Sequence, residues 1–151
     1  MGKVYIAGPF SKPRLKKSLK EMIKIVSNHY GESILYIPMD YKVLGDFQKI
    51  DGTWNLSNAE WAKNVYENDI KHLNESDIVF VLNVGLYRTA GTVWEAGYAK
   101  GKGIPVIAYI PEWAKKNDMS LMLMNSYDGY IDKDGYIHKF TEEELLKFNQ
   151  K

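Results

Sequence analysis

A buried strand, a short loop and a helix are predicted by residues 78–99, which read IVFVLNVGLYRTAGTVWEAGYA. The apolar run at 78–82 is typical of a buried strand. The loop at 85–90 separates this run from a helical pattern that continues to Lys102, and we expect Glu95 in the first turn of that helix. Because open α/β sheets bind ligands beyond the carboxyl ends of their strands, the order predicts a carboxylate that faces a substrate cleft.

Similar units on both sides of this stretch predict the rest of the fold. Further strands are predicted at 4–7, 34–37 and 104–110, and further helices at 12–28, 58–73 and 142–148. Two short apolar pairs around Asp132-Lys133-Asp134-Gly135 indicate a hairpin. We therefore predict one domain over residues 1–151, of the α/β class. Its doubly wound, Rossmann- or flavodoxin-like sheet is expected to have five strands, mostly parallel.

Three local signals refine these boundaries. Gly31 is typical of a helix stop, and Ser11 is a candidate N-cap for the first helix. Thr141 and Glu144 are spaced as a capping box at the start of the last helix. Residues 39–55 have no clean hydrophobic period and are predicted to form a long loop, which in compact domains is typical of lids and binding loops.

The composition excludes several functional classes. Acidic and basic residues nearly cancel, 19 against 20, which argues against a nucleic-acid partner or a membrane-surface protein. The chain has no cysteine, and its three histidines lack ligand-like spacing, so we expect neither disulfides nor a metal site. No stretch resembles a signal peptide or reaches membrane-spanning length. We therefore expect a soluble cytoplasmic protein.

Four places fall near the carboxyl ends of predicted strands or on segments that could reach them. They are Tyr5 with the loop 8–11, Asp69, the loop 88–92 with Glu95, and the tripeptide 120–122. Each alone fits an ordinary role, such as a turn, a solvated helix face or a charge that complements a helix dipole. Small residues before Glu95 would let the backbone approach a ligand, and the helix N-terminus would favour an anion.

Together these places resemble the nucleoside 2-deoxyribosyltransferase family. Its pieces stand here in family order, over most of the chain from Lys3 to Ile131. They are Val-Tyr-Ile-Ala-Gly-Pro-Phe at 4–10, Asn-Asp-Ile at 68–70, Ser-Asp-Ile-Val-Phe-Val at 76–81, Gly-Thr-Val-Trp-Glu-Ala-Gly-Tyr-Ala at 91–99, Gly-Ile-Pro-Val-Ile at 103–107 and Ser-Leu-Met at 120–122. The Gly-Thr-x-x-Glu-x-Gly-Tyr-Ala element is the most specific of them.

The resemblance implies three catalytic residues. Glu95 matches the family nucleophile, which forms an ester with the anomeric carbon of the sugar. Asp69 matches the carboxylate that protonates the departing base or relays a proton to it. Tyr5 matches the tyrosine that orients the nucleophile. The resemblance implies no metal or organic cofactor. It also implies a homodimer or larger assembly with shared active sites, in which the segment 120–122 completes the site of a neighbouring subunit.

Two positions depart from the transferase pattern. Transferases of the family carry Asp six residues before the nucleophile, where this chain has Thr89, and Asn-x-Met where it has Ser120-Leu121-Met122. In the related 2′-deoxynucleoside 5′-monophosphate N-hydrolases these positions are typically serines that bind the 5′-phosphate. A hydroxyl donates a hydrogen bond to a phosphate, whereas a carboxylate would repel it. The expected substrate-binding residues are Gly8, Phe10, Ser11, Lys12, Arg14, Trp54, Thr89, Gly91, Ser120 and Met122.

The favoured function is therefore cleavage of the N-glycosidic bond of a 2′-deoxynucleoside 5′-monophosphate, with water as the acceptor, in nucleotide metabolism. One alternative is a true transferase that exchanges bases on free deoxynucleosides. Another is a non-catalytic nucleotide-sensing module, which would have no need of the nucleophile. Phosphoribohydrolases of cytokinin nucleotides carry a fuller Pro-Gly-Gly-x-Gly-Thr motif, and a dinucleotide-binding domain would need a G-x-G-x-x-G pattern that the loop at 8–10 lacks.

Overall fold

The computed structural model describes residues 2–9, 13–38, 49–50, 53–54, 59–85, 90–114 and 120–148. The strands are β1 (Val4–Ala7), β2 (Leu35–Tyr36), β3 (Lys49–Ile50), β4 (Thr53–Trp54), β5 (Ile78–Leu82), β6 (Val106–Tyr109), β7 (Gly129–Ile131) and β8 (Ile137–His138). The helices are α1 (Lys16–Tyr30), α2 (Ala59–Asn74), α3 (Ala90–Gly101), α4 (Leu121–Ser126) and α5 (Glu142–Phe148).

The main sheet has the strand order β2-β1-β5-β6-β7-β8. Its first five strands are parallel, and β8 runs antiparallel to β7. This confirms the predicted α/β class and mostly parallel sheet. The predicted count of five strands was one too few, because both arms of the hairpin join the sheet. Strands β2 and β5 lie on opposite sides of β1, so the direction in which strands are added to the sheet reverses there, and ligands of such sheets bind at this switch point.

Side-chain alternation along the strands divides the core into two layers. Val4 and Ile6 pack on the α1 side of the sheet, whereas Tyr5 and Ala7 pack on the opposite side, with α2, α3 and α4. A strand points successive side chains to opposite faces. The side chain of Tyr5 therefore lies on the same side of the sheet as the two helices that carry Asp69 and Glu95.

Two of the three predicted helix-end signals are confirmed by the structure. Gly31 ends α1 with φ of +91°, a conformation that favours glycine, and its N–H donates to the carbonyl of Ser27. Thr141 and Glu144 exchange hydrogen bonds between side chain and backbone, as a capping box requires. Ser11 lies outside the described residues. The cap position of α1 is Leu15, at the end of a 3-10 turn, and its side chain makes no capping bond.

The prediction of one unbroken loop over 39–55 was wrong in part. Strands β3 and β4 form a small antiparallel pair in which Lys49 lies opposite Trp54 and Ile50 opposite Thr53. The sequence between the two strands is Asp51-Gly52, a dipeptide typical of tight hairpins, so a local signal for this pair was present.

Within the described part of the chain, no helix is long and apolar enough to span a membrane.

Candidate active site

Tyr5, Asp69 and Glu95 come together on one face of the sheet. The hydroxyl of Tyr5, in β1, donates a hydrogen bond to Oε2 of Glu95, in α3. Ala96 and Ala99, which follow Glu95 on the helix, are fully buried against the sheet. Because these side chains are small, α3 lies close to the strands, and Glu95 beside them reaches the tyrosine. The predicted grouping of the three residues is thus present in the geometry.

Asp69 is placed by the buried face of α2. Leu73 lies one turn later on the same face and is fully buried in the core shared with Tyr5. Residues four apart on a helix are neighbours on its surface. Anchoring Leu73 therefore turns Asp69 toward the sheet, where it lies near enough to Glu95 to affect its ionisation.

Glu95 does not lie in the first turn of its helix, as the sequence had indicated. Helix α3 begins at Ala90, so Glu95 is its sixth residue, and no acidic residue occupies the first turn. Gly91, expected in a loop, is a helical residue. The effect of a helix N-terminus on a charge fades beyond the first turn. Burial and hydrogen bonding, rather than the helix dipole, therefore set the ionisation of Glu95.

The environment opposes ionisation of both carboxyl groups. Burial raises the pKa of Glu95 to about 8, the charge of Asp69 adds to this rise, and the Tyr5 hydrogen bond acts against it. Burial also raises the pKa of Asp69, against a hydrogen bond from Tyr36 that lowers it. Two carboxyl groups that interact in this way titrate as a pair. Such a pair can supply one anion and one acid at the same time.

Tyr5 is held as a hydrogen-bond donor. Burial, followed by the charges of Glu95 and Asp69, raises the pKa of its hydroxyl far above the ordinary value. The hydroxyl therefore stays protonated at any pH at which the protein is folded. It can donate to the Glu95 carboxylate but cannot become a competing anion.

Two further residues belong to this cluster and were not predicted. The hydroxyl of Tyr36, in β2, donates to Oδ1 of Asp69 at 2.9 Å, and Nδ2 of Asn68 donates to the Tyr36 oxygen at 2.9 Å. Asn68 belongs to the Asn-Asp-Ile motif and stands beside Asp69, which was predicted. Tyr36 ends β2, and a polar side chain at the end of a predicted strand was the available signal for it.

The predicted substrate-binding residues are described only in part. Gly8 is buried, and a Cβ there would approach the side chain of Leu19 in α1 so closely that Leu19 would have to shift. Arg14 is exposed at the start of α1, and Gly91 is exposed on α3. The side chain of Trp54 lies outside the described residues. Four whole residues do so as well, namely Phe10, Ser11, Lys12 and Thr89.

The segment 120–122 begins α4. The Ser120 hydroxyl accepts a hydrogen bond from the backbone N–H of Leu123 at 3.0 Å and so caps the helix. Met122 is 83% exposed, which is unusual for a methionine in a folded chain. Among the described residues, no group of three His, Asp or Glu side chains is arranged to hold a metal ion.

Comparison with known proteins agrees with this geometry. A sequence profile described as Nucleoside 2-deoxyribosyltransferase matches residues 4–137. A 2-deoxyribosyltransferase from Bacillus psychrosaccharolyticus has a similar structure, with a TM-score of 0.72 and 23% identity over 93% of this chain and 100% of that one. A conserved protein from Enterococcus faecalis gives a TM-score of 0.53 and 20% identity, over 99% and 87% of the two chains. No curated protein sequence matches.

At these identities the two solved structures support the fold alone. The family follows from the profile, which spans most of the chain and includes the positions of Tyr5, Asp69 and Glu95. The chain belongs to the nucleoside 2-deoxyribosyltransferase family.

Proposed function

We propose that the protein hydrolyses the N-glycosidic bond of 2′-deoxynucleoside 5′-monophosphates through an ester between Glu95 and the sugar. The observation that carries this proposal is the hydrogen bond from Tyr5 to Glu95, beside a second carboxyl group whose pKa is also raised. A nucleophile held by a donor and a second carboxyl group that can carry a proton are the two groups that glycosyl transfer requires.

The first step forms the ester. Tyr5 occupies Oε2 of Glu95, which leaves Oε1 to attack C1′ of the sugar. The bond between C1′ and the base nitrogen breaks, and the base departs with its electron pair and takes a proton from Asp69. Positive charge develops at C1′ in the transition state, and the Glu95 carboxylate beside it lowers its energy.

The second step returns the enzyme to its starting state. Water attacks C1′ and gives a proton to the Asp69 carboxylate, while the ester bond breaks and Glu95 leaves as a carboxylate. The products are the free base and 2-deoxyribose 5-phosphate. In the alternative transferase reaction, the nitrogen of a second base takes the place of water in this step.

The preference for a 5′-phosphate is supported by Ser120 and Thr89. The Ser120 oxygen accepts the N–H of Leu123, so the proton of its hydroxyl remains available for an acceptor such as a phosphate oxygen. Neither residue carries the negative charge that would repel a phosphate. Arg14, exposed in the 3-10 turn before α1, is a cation proposed to bind the same ligand.

The segment 120–122 also supports a homodimer or larger assembly with shared sites. Met122 on α4 and Val93 and Trp94 on α3 are exposed apolar side chains on neighbouring helices. Exposed apolar patches often mark protein interfaces. A second subunit seated there would bring Ser120 to the site of its neighbour. Light scattering of the purified protein tests this, and a monomer at micromolar concentration would contradict it.

Chromatographic detection of free base tests the reaction. Deoxynucleosides and their 5′-monophosphates are incubated with the protein, with and without a second free base. We expect the monophosphates to be cleaved and a free sugar phosphate to accumulate. Equal or faster cleavage of free deoxynucleosides would refute the phosphate preference. A new nucleoside formed in good yield would identify a transferase instead.

A pair of substitutions at Ser120 tests the phosphate site itself. Asp and Asn cap helices about as well as Ser, so Ser120→Asp and Ser120→Asn should both keep α4 intact. Only Asp adds a negative charge. We expect Ser120→Asp to lower kcat/KM for monophosphates by about 10-fold or more, as the loss of about 1.4 kcal/mol would. Ser120→Asn serves as the uncharged control, and an equal loss in both variants would argue against a phosphate at this position.

A further inference from the structure

Resting on the proposed reaction, we propose that Tyr36 is a positioning residue that directs the acidic oxygen of Asp69 toward the departing base, with Asn68 setting the direction of its hydroxyl. The motifs of the family resemblance do not include Tyr36. The inference comes from the hydrogen bonds that join β2 to α2 in this chain.

The direction of each hydrogen bond follows from the donors present. The Nδ2 group of Asn68 can only donate, so the Tyr36 oxygen is its acceptor at 2.9 Å. Tyr36 has a single proton, which it donates to Oδ1 of Asp69, at 2.9 Å. Asn68 therefore orients the hydroxyl so that its proton points to Asp69.

This arrangement makes the two oxygens of Asp69 different. Oδ1 is occupied by the Tyr36 proton, whereas Oδ2 accepts no hydrogen bond from the described residues. When Asp69 is protonated, its carbonyl oxygen is the better acceptor for Tyr36, and this favours the proton on Oδ2. As the proton leaves for the base, negative charge develops on Asp69 and the bond from Tyr36 becomes charge-assisted, hence stronger. The stabilisation appears in the transition state, where it increases kcat.

The ring of Tyr36 contacts two other rings. It stacks on His72 with 3.8 Å between ring centroids and 11° between planes, and its centroid lies 5.3 Å from that of Tyr5. His72 is fixed in turn, because its Nδ1 lies 2.8 Å from Nζ of Lys3, which also binds Glu75 at 2.6 Å. One residue of β2 thus contacts both the ring that orients the nucleophile and the carboxyl group that serves the base.

The test removes only the hydroxyl, in Tyr36→Phe, which keeps the stacked ring. Tyr98→Phe is the matched control, because it also removes one tyrosine hydroxyl. That hydroxyl, in α3, donates to Asn74, in α2, at 2.9 Å in an exposed position. Each variant is assayed with a deoxynucleoside monophosphate and with 4-nitrophenyl 2-deoxyriboside 5-phosphate. The nitrophenolate group departs without a proton, so its release does not need Asp69 as an acid.

We expect Tyr36→Phe to lower kcat for the nucleotide by about 10- to 100-fold, as loss of a hydrogen bond to a charged group does. Its kcat for the nitrophenyl substrate should change by less than about threefold, because no proton is transferred to that leaving group. Tyr98→Phe should stay within about twofold on both substrates. Asn68→Ala, which frees the hydroxyl to rotate, should show the same split between substrates with a smaller loss.

An equal loss on both substrates, in a Tyr36→Phe protein that melts like the wild type, would overturn the inference. So would an unchanged kcat for the nucleotide. Should Tyr36→Phe fail to fold, the Asn68→Ala comparison decides in the same way. A wild-type protein that cleaves neither substrate overturns the proposed function together with this inference, whereas an active wild type without the split overturns the inference alone.

Discussion

Carboxyl groups near opposite edges of the sheet have pKa values that are shifted in opposite directions. Glu95 and Asp69 lie against β1, and burial raises the pKa of both. Asp132 lies in the β7–β8 hairpin, where a hydrogen bond from His138 and two from backbone N–H groups hold its pKa below the ordinary range. The same functional group thus has its ionisation opposed in one place and favoured in the other, and only the first place has the carboxyl groups of the proposed reaction.

Burial and the number of donors together account for the difference. Asp132 accepts the backbone N–H groups of Asp134 and Tyr136 at 2.9 and 3.0 Å, and His138 lies 2.6 Å away. Among described residues, Glu95 and Asp69 each accept one hydrogen bond, from a tyrosine. Each donor stabilises the ionised form, whereas burial opposes it. With one donor, burial prevails.

The position of a ligand-sized cavity does not identify the site at β1. A cavity of 660 Å³ borders the hairpin and includes Asp132 together with aromatic side chains, but none of Tyr5, Asp69 and Glu95. It has the size of a ligand pocket. Asp132, one of the four carboxylates that line it, is already paired, and its pKa is lowered rather than raised. The chemistry is identified by ionisation and hydrogen bonding rather than by volume.

Replacing Glu95 should have the largest effect on activity. Glu95→Gln keeps the size of the side chain and removes the nucleophile, and we expect kcat to fall by at least about 10⁴-fold. Free-base release is the measurement. Turnover within tenfold of the wild type would mean that the carboxyl group of Glu95 is not the reacting group.

The same variant tests the raised pKa through stability. Because the folded-state pKa of Glu95 is about 8 and its ordinary value is 4.5, the folded state holds more protons between these pH values. The wild type should therefore lose stability as pH rises through this window. Glu95→Gln should avoid this loss and gain at most about 5 kcal/mol over the wild type at alkaline pH. Urea unfolding at several pH values measures the difference, and parallel curves would contradict it.

Replacing Tyr5 should have an intermediate effect. Tyr5→Phe removes the hydrogen bond that lowers the pKa of Glu95, so that pKa should rise above about 8. Since the nucleophile must be ionised, the rising limb of kcat/KM against pH should move to higher pH, with a loss at neutral pH of about 10- to 100-fold. A limb that stays in place would show that Tyr5 does not set this ionisation.

Replacing Asp132 should have the smallest effect. Because Asp132 lies far from the proposed chemistry, Asp132→Asn should keep kcat within about twofold of the wild type. Its folded-state pKa lies below the ordinary 3.8, so it contributes stability above that value and loses it as pH falls further. Thermal melting should therefore separate the two proteins near neutrality and converge in acid, the reverse of the Glu95 result. A loss of activity with intact folding would break the contrast between the two regions.

Local patterns were sufficient for most of the fold. The apolar run of β5, the stop at Gly31 and the capping box of Thr141 each depend on residues adjacent in sequence, and all three are present. The start of α3 was misplaced, because Gly91 indicates a loop by its intrinsic preference while the helix continues through it. The sixth strand was missed because pairing of β8 depends on a neighbour in space.

The sequence by itself determined the order of strands and helices and the family, and it predicted the three residues Tyr5, Asp69 and Glu95, since motifs and hydrophobic periods are written in the chain. Only the tertiary structure decided that Tyr36 contacts both Asp69 and the ring of Tyr5, because strand pairing brings together residues that are 31 to 33 positions apart. It also decided the ionisation of the two carboxyl groups. Burial and donor count depend on everything that packs around a side chain, and no local stretch of sequence contains that information.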